Sequence, residues 1–464
     1  MTSITLKDTL ESSDNIQYDI YLSWLTEETV RGISADQNEP EWMLEHRLKS
    51  FELLKTMSMP TRWPDLSWLD LSQIVYYARP HKDYLGAATN RDDVPEEIKI
   101  KFDRLGIPEA ERSYLAWAGG QYDSENVYHN LKQKWAEQGV IFEDMAHALQ
   151  SHPELVRKYF MKLVPMTDHY FAALHGAVWS GGTFIYIPSG VEVTEPLQAY
   201  FRMNTYGGGQ FEHTLIIVED DAVGDYIEWC SAPKFDSKSL HAGLVEIHVG
   251  KRSRMRYSSV ENRSTNTYNL NTKRAIVDDD GFMEWINGNL GSCTTMLYPC
   301  SILKGHRSKS DQIGVVVAAA GQNQDTGSKV IHIGRDTSST IISKSISKDG
   351  GISTYRGIVD IRASATGAVN STECDALLMD EHSISTTIPH IEVNNDSTVI
   401  AHEASAGKVD ETQVFYMMSR GLDEEKAMAM IVNWFVAPVI KKLPLEYAWE
   451  LNKLIEMEME WSVG

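Results

Sequence analysis

The sequence predicts a mainly β fold, with helical regions before and after a long run of strands. Between residues 182 and 409, short β-branched and aromatic runs are separated by Gly, Asn, Asp and Ser, with no helical pattern between them. The Asn-Gly and Asp-Gly pairs that favour antiparallel hairpins are few. Small polar residues beside aliphatic ones, as in 338–348, favour the stacked coils of a parallel solenoid. No strict repeat period is visible, so a sandwich and a barrel stay open on pattern alone.

The N-terminal region, residues 1–181, is predicted to be helical and irregular. Pro95, followed by two glutamates, predicts the start of a helix that Gly106 ends. An aromatic-rich helical stretch is predicted from Tyr159 to Val178. An earlier helix is indicated by apolar residues at three- and four-residue steps, namely Leu44, Leu48, Phe51 and Leu54.

The C-terminal region, residues 410–464, is predicted to be helical again. A capping box begins at Asp410, Gly421 ends that helix, and Asp423 begins a second helix that ends near Lys442. A last helix is predicted from Pro444, with an apolar face formed by Leu445, Ala448, Leu451 and Ile455. The methionines and aromatics of 415–435 exceed what a small helical cap needs, so part of them is expected to face a partner.

Composition excludes several classes of protein. The chain has 464 residues with 43 Lys and Arg against 65 Asp and Glu, a net charge of −22, which argues against a nucleic-acid binder. The longest apolar stretch, Ala427–Ile440, is shorter than the roughly 20 residues that a spanning helix needs, so no membrane span is expected. The first ten residues lack the pattern of a secretory signal, which predicts a cytoplasmic location.

The four cysteines, Cys230, Cys293, Cys300 and Cys374, form no C-x-x-C pair. A cytoplasmic chain keeps its thiols reduced, so a disulfide framework is not expected. Zinc-ribbon and ferredoxin patterns are absent, and any metal chemistry must combine distant positions. Cys293 and Cys300 have no polar neighbours in sequence that suggest a function, and both are interpreted as structural.

Two cysteines have neighbours that suggest chemistry. Cys374 is predicted at a strand start between two carboxylates, and His402 and Glu403 follow 28 residues later. On adjacent coils these groups would converge on one site. Cys230 precedes a proline-containing turn, with His241 shortly after. The plainer alternative is that both thiols are small buried groups and that His402 and Glu403 are solvated.

Several motifs together resemble the SufB/SufD family of the Suf iron–sulfur assembly system, on its SufB side. The resemblance extends over nearly the whole chain. It rests on Glu39–Leu44, Arg47–Ser50, Gln210–Glu212, Cys230–Pro233, Tyr355–Gly357, Glu373–Asp375, His402–Ala404, Ser419–Gly421 and Glu458–Glu460.

This resemblance implies a right-handed parallel β-helix and a non-enzymatic scaffold for a transient iron–sulfur cluster. It implies C-terminal helices that dock on a SufC-like ABC ATPase, where ATP is hydrolysed, and pairing with a SufD-like paralogue or a second copy of the chain. Whether a flavin binds stays open.

The resemblance also implies a route for sulfur and a site for iron. Persulfide sulfur from a cysteine desulfurase system would arrive at Cys230. It would then travel inside the β-helix, and the cluster would form on Cys374 with His402 and Glu403. The residues expected along the sulfur path are Arg202, Asn204 and Lys273.

The sequence departs from the family pattern at three of these positions. Ala401 replaces the usual carboxylate before His402, and Glu261 and Arg263 replace an amide and an indole on the sulfur path. Coils of about 24 residues would separate Cys230 from Cys374 by six layers, or about 29 Å. Direct attack of one thiol on the other is impossible at that range, so a relay or tunnel is expected.

Two rival functions remain. An interaction-only SufD-like paralogue is expected to lack the set formed by Cys374, His402 and Glu403, so the presence of that set favours the scaffold. A carbohydrate-active β-helix enzyme would use the acidic clusters 219–221 and 278–280. It would need an exposed groove of aligned carboxylates and aromatics, and turn chemistry explains both clusters more simply.

Overall fold

The chain is a mainly β molecule with a parallel β-solenoid core of about seven turns and helices before and after it, as seen in a computed structural model. This confirms the predicted fold class. The residues that the structure describes are 18–60, 64–80, 117–122, 125–131, 133–203, 207–232 and 238–442, together with 448, 451, 452 and 455. Within this part of the chain, no helix is long and apolar enough to cross a membrane.

Helices precede and follow the solenoid along the chain. They are α1 Glu27–Asp36, α2 Glu41–Leu54, α3 Gln133–Ala136, α4 Met145–Ser151, α5 Pro153–Tyr159, α6 Tyr170–Val178, α7 Glu411–Ser419 and α8 Glu424–Ile440.

The strands before the regular solenoid are β1 Tyr18–Leu22, β2 Tyr77–Pro80, β3 Trp117–Tyr122, β4 Glu125–Leu131 and β5 Ile141–Asp144. The strands of the solenoid are β6 Thr183–Ile187, β7 Leu197–Arg202, β8 Gly209–Gln210, β9 His213–Val218, β10 Val223–Ala232, β11 Ser239–His241, β12 Leu244–Val249, β13 Arg254–Arg263, β14 Thr267–Val277, β15 Phe282–Gly291, β16 Thr294–Leu297, β17 Cys300–Leu303, β18 Lys309–Ala318, β19 Asn323–His332, β20 Ser338–Ser347, β21 Ile352–Ile361, β22 Val369–Leu378, β23 Ile384–Val393 and β24 Val399–Lys408.

Successive long strands alternate between two parallel sheets. The solenoid strands of sheet I are β7, β10, β13, β15, β18, β20, β22 and β24, and β3 and β4 extend this sheet at its β7 edge. The main strands of sheet II are β6, β9, β12, β14, β16, β19, β21 and β23; β5 extends this sheet at its β6 edge, and the short strands β8, β11 and β17 also belong to it. Paired residues of sheet I are 27 to 31 positions apart, as between Cys230 and Glu261 or between Asn289 and Val316. The coil is therefore longer than the 24 residues expected, because each turn carries two strands of about ten residues and their corners.

Side chains alternate between the interior of the solenoid and its outer faces. The interior contains a column of aromatic residues, Tyr226, Tyr257 and Trp285, together with Cys230 and Cys374. The outer face of sheet I packs against α8 and against Leu451 and Ile455, the buried members of the predicted last apolar face. The outer face of sheet II packs against the N-terminal helices. Helices thus cover both faces of the solenoid in its first turns, whereas β23 and β24 at its end are mostly exposed.

Helix boundaries differ from prediction in one place. The stretch from Tyr159 to Val178 was predicted as one helix, but α5 ends at Tyr159 and α6 begins at Tyr170. Between them, the backbone N–H groups of residues 161, 163 and 164 donate hydrogen bonds to the buried carboxylate of Glu246 instead of to helical carbonyls. His169 then caps α6 by accepting a hydrogen bond from the N–H of Ala172.

The predicted helix starts at Asp410 and Asp423 are confirmed, since both side chains cap their helices and α8 ends two residues before Lys442. The helix predicted between Pro95 and Gly106 lies outside the described residues. Pro444 and Leu445 lie outside them as well.

Candidate functional site

Cys230 lies inside the solenoid, near the end of β10. Strand alternation directs Glu228 and Cys230 inward and Ile227 and Trp229 outward. The Cys230 Sγ is 3.6 Å from Glu228 Oε1, to which it donates a hydrogen bond. Three side chains here each offer one possible metal ligand, and these ligand atoms lie within 4.8 Å of one another: Glu228, Cys230 and Glu261. Together they could hold a metal ion.

A buried network of ionisable side chains surrounds this thiol. It contains three acidic side chains, two basic side chains and one imidazole, all at most 3% exposed: Glu212, Glu228, Glu261, Arg263, Lys273 and His241. This arrangement balances charge only if each carboxylate has a cationic neighbour.

The cations of the network are held by short contacts. Arg263 donates to Glu261 at 3.1 Å and to Gln210 at 3.0 Å. Lys273 Nζ lies 3.7 Å from Glu261 Oε1 and 4.0 Å from Glu228 Oε1. His241 pairs closely with Glu212. Glu261 and Arg263 therefore form a buried ion pair.

The environment of Cys230 opposes ionisation of its thiol. Burial raises the pKa of Cys230 well above its usual value, and the nearby charges of Glu261 and Glu228 raise it further. Burial also raises the pKa of Glu228, although Lys273 opposes this effect. The pKa of Glu261, in contrast, is lowered to about 2, because Arg263, His241 and Lys273 outweigh the burial that would raise it. The resting thiol is thus neutral, beside one permanently ionised carboxylate and one whose pKa is raised.

Polar side chains continue from this network along the interior. Lys273 donates to Ser259 at 2.8 Å, and Ser259 donates to Asn287 at 3.1 Å. Asn287 lines a cavity of about 20 Å³, enough for roughly one water molecule. Two buried oxygens on residues that line this cavity, Asn289 Oδ1 and Gln312 Oε1, have no hydrogen-bond partner within the described chain.

Cys374 lies at the other end of this polar column. It is the sixth residue of β22, so the prediction that it begins a strand was wrong. It pairs with Ser343, which lines the cavity together with Tyr355. Burial raises the pKa of Cys374 to about 12, while the Tyr355 hydroxyl acts in the opposite direction. Five strand spacings along sheet I separate the levels of the two cysteines, about 24 Å instead of the six layers and 29 Å expected.

His402 and Glu403, the two residues expected to join Cys374, lie on opposite faces of β24, the last strand of sheet I. In the β22–β24 pairing, Thr372 is opposite His402, Glu373 is opposite Glu403 and Cys374 is opposite Ala404. His402 therefore shares the inner face with Cys374, about 8 Å away on the diagonal. Glu403 points to the outer face beside Glu373, and Ala401 lies on that same face. Within one chain the register brings together the thiol and the imidazole but not the carboxylate.

Other candidate residues have plainer positions. The backbone of Arg202 pairs with Ser231, while its side chain and all of Asn204 lie outside the described residues. Cys293 donates to the carbonyl of Thr267, and Cys300 is buried. Corner carboxylates pair with arginines of the next turn, as Asp221 does with Arg252. Within the described chain, the acidic clusters are thus explained by turn geometry and ion pairs.

Several residues of the site were missed from the sequence. Glu228, Ser259 and Asn287 were not singled out, and neither was Tyr355 as a contact of Cys374. The available signal was the alternation of polar residues with apolar ones inside strands that are otherwise buried, as in Glu228-Trp-Cys230. That signal becomes specific only once the register aligns these residues between turns.

Comparison with known proteins agrees with this architecture. The family described as the SufBD core domain of SUF-system FeS cluster assembly matches residues 201–435, and the SufBD protein N-terminal region matches residues 31–199. The chain is 50% identical to the iron–sulfur cluster assembly protein SufB of Bacillus subtilis (strain 168) and 51% identical to a SufBD family iron–sulfur cluster assembly protein of Staphylococcus aureus (strain MRSA252). Both matches cover 95% of this chain and 94% of the relative. The chain therefore belongs to the SufBD family of iron–sulfur cluster assembly proteins.

Proposed function

We propose that this protein is a non-enzymatic scaffold that accepts persulfide sulfur at Cys230 and builds a labile iron–sulfur cluster on Cys374. The observation that carries this proposal is a continuous column of polar side chains inside the solenoid that connects the levels of the two cysteines. It runs from Cys230 through Lys273, Ser259 and Asn287 to the cavity beside Tyr355. Polar atoms without partners in a protein interior are costly, so the unpartnered Asn289 and Gln312 oxygens at the end of this column indicate a polar guest.

The chemistry of the cavity suits a sulfur species in transit. Its unpartnered Asn289 and Gln312 oxygens are acceptors, which match the S–H donor of a neutral persulfide or hydrogen sulfide. A charged sulfur species would be disfavoured in so small and enclosed a space. Sulfur would therefore travel protonated past Asn287 and reach Cys374 within the interior.

The cluster site would combine the Cys374 thiolate with the His402 imidazole on the same inner face. One thiolate with nitrogen and oxygen donors holds iron less tightly than four thiolates, which suits a cluster that must be released. Glu403 would join only if the terminal strand shifts or a partner chain completes the site. Such a shift is feasible because β24 is the last strand of sheet I and most of its side chains are exposed.

Two surfaces would engage partners. An ABC-type ATPase of the SufC class would dock on the exposed apolar residues of α7 and α8, and its ATP cycle would move these helices. A SufD-like paralogue or a second copy would cover the open end of the solenoid at β23 and β24. A cysteine desulfurase system would supply the sulfur. The apolar residues of the helical surface are Phe415, Tyr416, Met418, Met430 and Trp434.

Site-resolved persulfide mapping tests the sulfur route. After incubation with a persulfide donor, wild type should carry sulfane sulfur on Cys230 and Cys374, whereas Cys293 and Cys300 should stay unlabelled. In Cys230→Ala, the label on Cys374 should fall at least tenfold. Labelling of Cys374 at the wild-type rate in this variant would refute the relay.

A second variant tests whether the route runs through the cavity. Ser343→Leu places a larger apolar side chain in the cavity wall, directly opposite Cys374. Cys230 should then keep its label while Cys374 loses it, as measured by the same mapping. Equal loss at both cysteines, or loss at neither, would contradict the interior route.

A further inference from the structure

The proposed function needs a sulfur acceptor that can ionise, yet the surroundings of Cys230 keep its thiol neutral. The side chain is fully buried, and the carboxylate of Glu228 is only 3.6 Å from its sulfur. In the described chain, no hydrogen bond from a cation to Cys230 Sγ is present. The thiol donates its hydrogen bond to Glu228, so this carboxylate is positioned to accept the thiol proton.

We propose that Glu228 is the general base that takes the proton of Cys230 when the sulfur is transferred. This inference rests on the proposed function. Glu228 is suited to the role by its other contacts: Lys273 lies 4.0 Å away and Tyr226 donates to its second oxygen at 3.5 Å. Glu261 is the other carboxylate near the thiol, but it is bound by Arg263 and Asn271, so its oxygens are already occupied.

The transfer balances without an external oxidant or reductant. The Cys230 thiol gives its proton to Glu228, and the resulting thiolate attacks the terminal sulfur of a persulfide donor, R–S–SH. The S–S bond of the donor breaks as the new S–S bond to Cys230 forms. The leaving thiolate, R–S⁻, takes the proton from Glu228. The products are Cys230–S–SH and R–SH, and the Glu228 carboxylate is regenerated.

Two matched variants separate proton transfer from simple electrostatics. Glu228→Gln and Glu261→Gln each remove one buried negative charge beside the same thiol. If charge alone matters, both should favour the thiolate and speed persulfidation. If Glu228 is the base, Glu228→Gln should slow persulfidation of Cys230 about 100-fold at pH 7, while Glu261→Gln should speed it.

The measurement is the initial rate of Cys230 persulfidation by cysteine persulfide on the full chain, resolved by site with mass spectrometry from pH 6 to 9. In Glu228→Gln the rate should rise about tenfold per pH unit, because only bulk hydroxide can then form the thiolate. Wild type should show a shallower slope. A Glu228→Gln rate equal to or above wild type would overturn the proposal.

A third variant covers the case in which Glu228→Gln does not fold. Glu228→Asp keeps the charge but withdraws the carboxylate by one methylene, so a base role predicts a slower rate of Cys230 persulfidation, whereas an electrostatic role predicts no change.

Failure of the base role of Glu228 can be distinguished from failure of Cys230 as the sulfur acceptor. If Cys230→Ser leaves Cys374 labelling at the wild-type rate, the acceptor assignment fails, and the role of Glu228 fails with it. If Glu228→Gln is persulfidated at Cys230 at the wild-type rate or faster, only the role of Glu228 as the base is overturned.

Discussion

At the scale of single residues, buried ionisable groups bind the solenoid to the N-terminal segment. Glu246 in β12 accepts hydrogen bonds from three backbone N–H groups between α5 and α6, and lies 3.3 Å from His213. Burial raises the pKa of Glu246 to about 7 and lowers that of His213 to about 3. Both groups are therefore most stable in the folded protein when they are neutral.

The pKa of Glu246 predicts how stability depends on pH. The folded protein binds this proton more tightly than the unfolded chain, where the carboxyl has a pKa of 4.5. The stabilisation is fully present below pH 4.5 and is lost as pH rises through about 7. Relative to wild type, Glu246→Gln should gain up to about 3 kcal/mol between pH 4.5 and 7.5, because one pKa unit corresponds to about 1.4 kcal/mol.

Urea unfolding of both proteins at the two pH values measures this gain. His213 has the opposite dependence, since its stabilisation is lost as pH falls from about 6.5 towards 3, but it is present in both proteins and largely cancels. Parallel pH profiles for wild type and variant would show that Glu246 is already ionised at low pH in the fold.

At the scale of elements, one arginine connects two helices. Arg47 of α2 makes two hydrogen bonds to Glu39 and also donates to the carbonyls of Ala177 and Trp179 at the end of α6. The side chains of both Arg47 and Glu39 are fully buried. The guanidinium satisfies orphan carbonyls of a helix end and neutralises a buried carboxylate in one contact.

Loss of this arginine should be costly. Arg47→Met should destabilise the protein by about 3–5 kcal/mol, because it leaves the Glu39 charge buried without a partner. Arg31→Met is the matched control, since its pair with Glu27 is half exposed and should contribute less than about 1 kcal/mol. Chemical denaturation compares the two. Similar losses in both variants would contradict the role of burial.

The elements also show what the sequence allows one to predict. Helix starts at Asp410 and Asp423 were predictable because a capping carboxylate acts over a few residues. The break between α5 and α6 had a local signal in Pro165, which the prediction did not use, whereas the contact with Glu246, more than eighty residues later in the chain, could not be predicted. Likewise, the inward direction of His402 and the outward direction of Glu403 depend on the pairing of β22 with β24. The features that the sequence did not predict thus depend on contacts between residues that are distant in the chain.

At the scale of the whole molecule, the solenoid has one uncovered end. Strands β23 and β24 each pair on one side only within the described chain, and apolar side chains are exposed there. An unpaired strand edge with apolar residues is a site for association with another chain. The proposed cluster site at Cys374 lies one strand inside this end, so a partner there would enclose it.

Substitution at this end should weaken association without unfolding the protein. Ile384→Lys and Val399→Lys, which are 49% and 62% exposed in the free chain, should each lower the affinity for a second copy or for the SufD-like paralogue at least tenfold. Ile333→Lys, at a site that is 37% exposed and lies outside these strands, is the control. Sedimentation measures the affinity. Unchanged association in both end variants would place the interface elsewhere.

The central claim is that the cluster forms on Cys374. Anaerobic reconstitution with iron and sulfide, followed by visible absorption and by the amount of acid-labile sulfide per chain, tests it most directly. Wild type and the control Cys300→Ser should gain the same absorption and labile sulfide, and Cys374→Ser should lose most of both. Equal absorption and sulfide in Cys374→Ser and wild type would contradict the account.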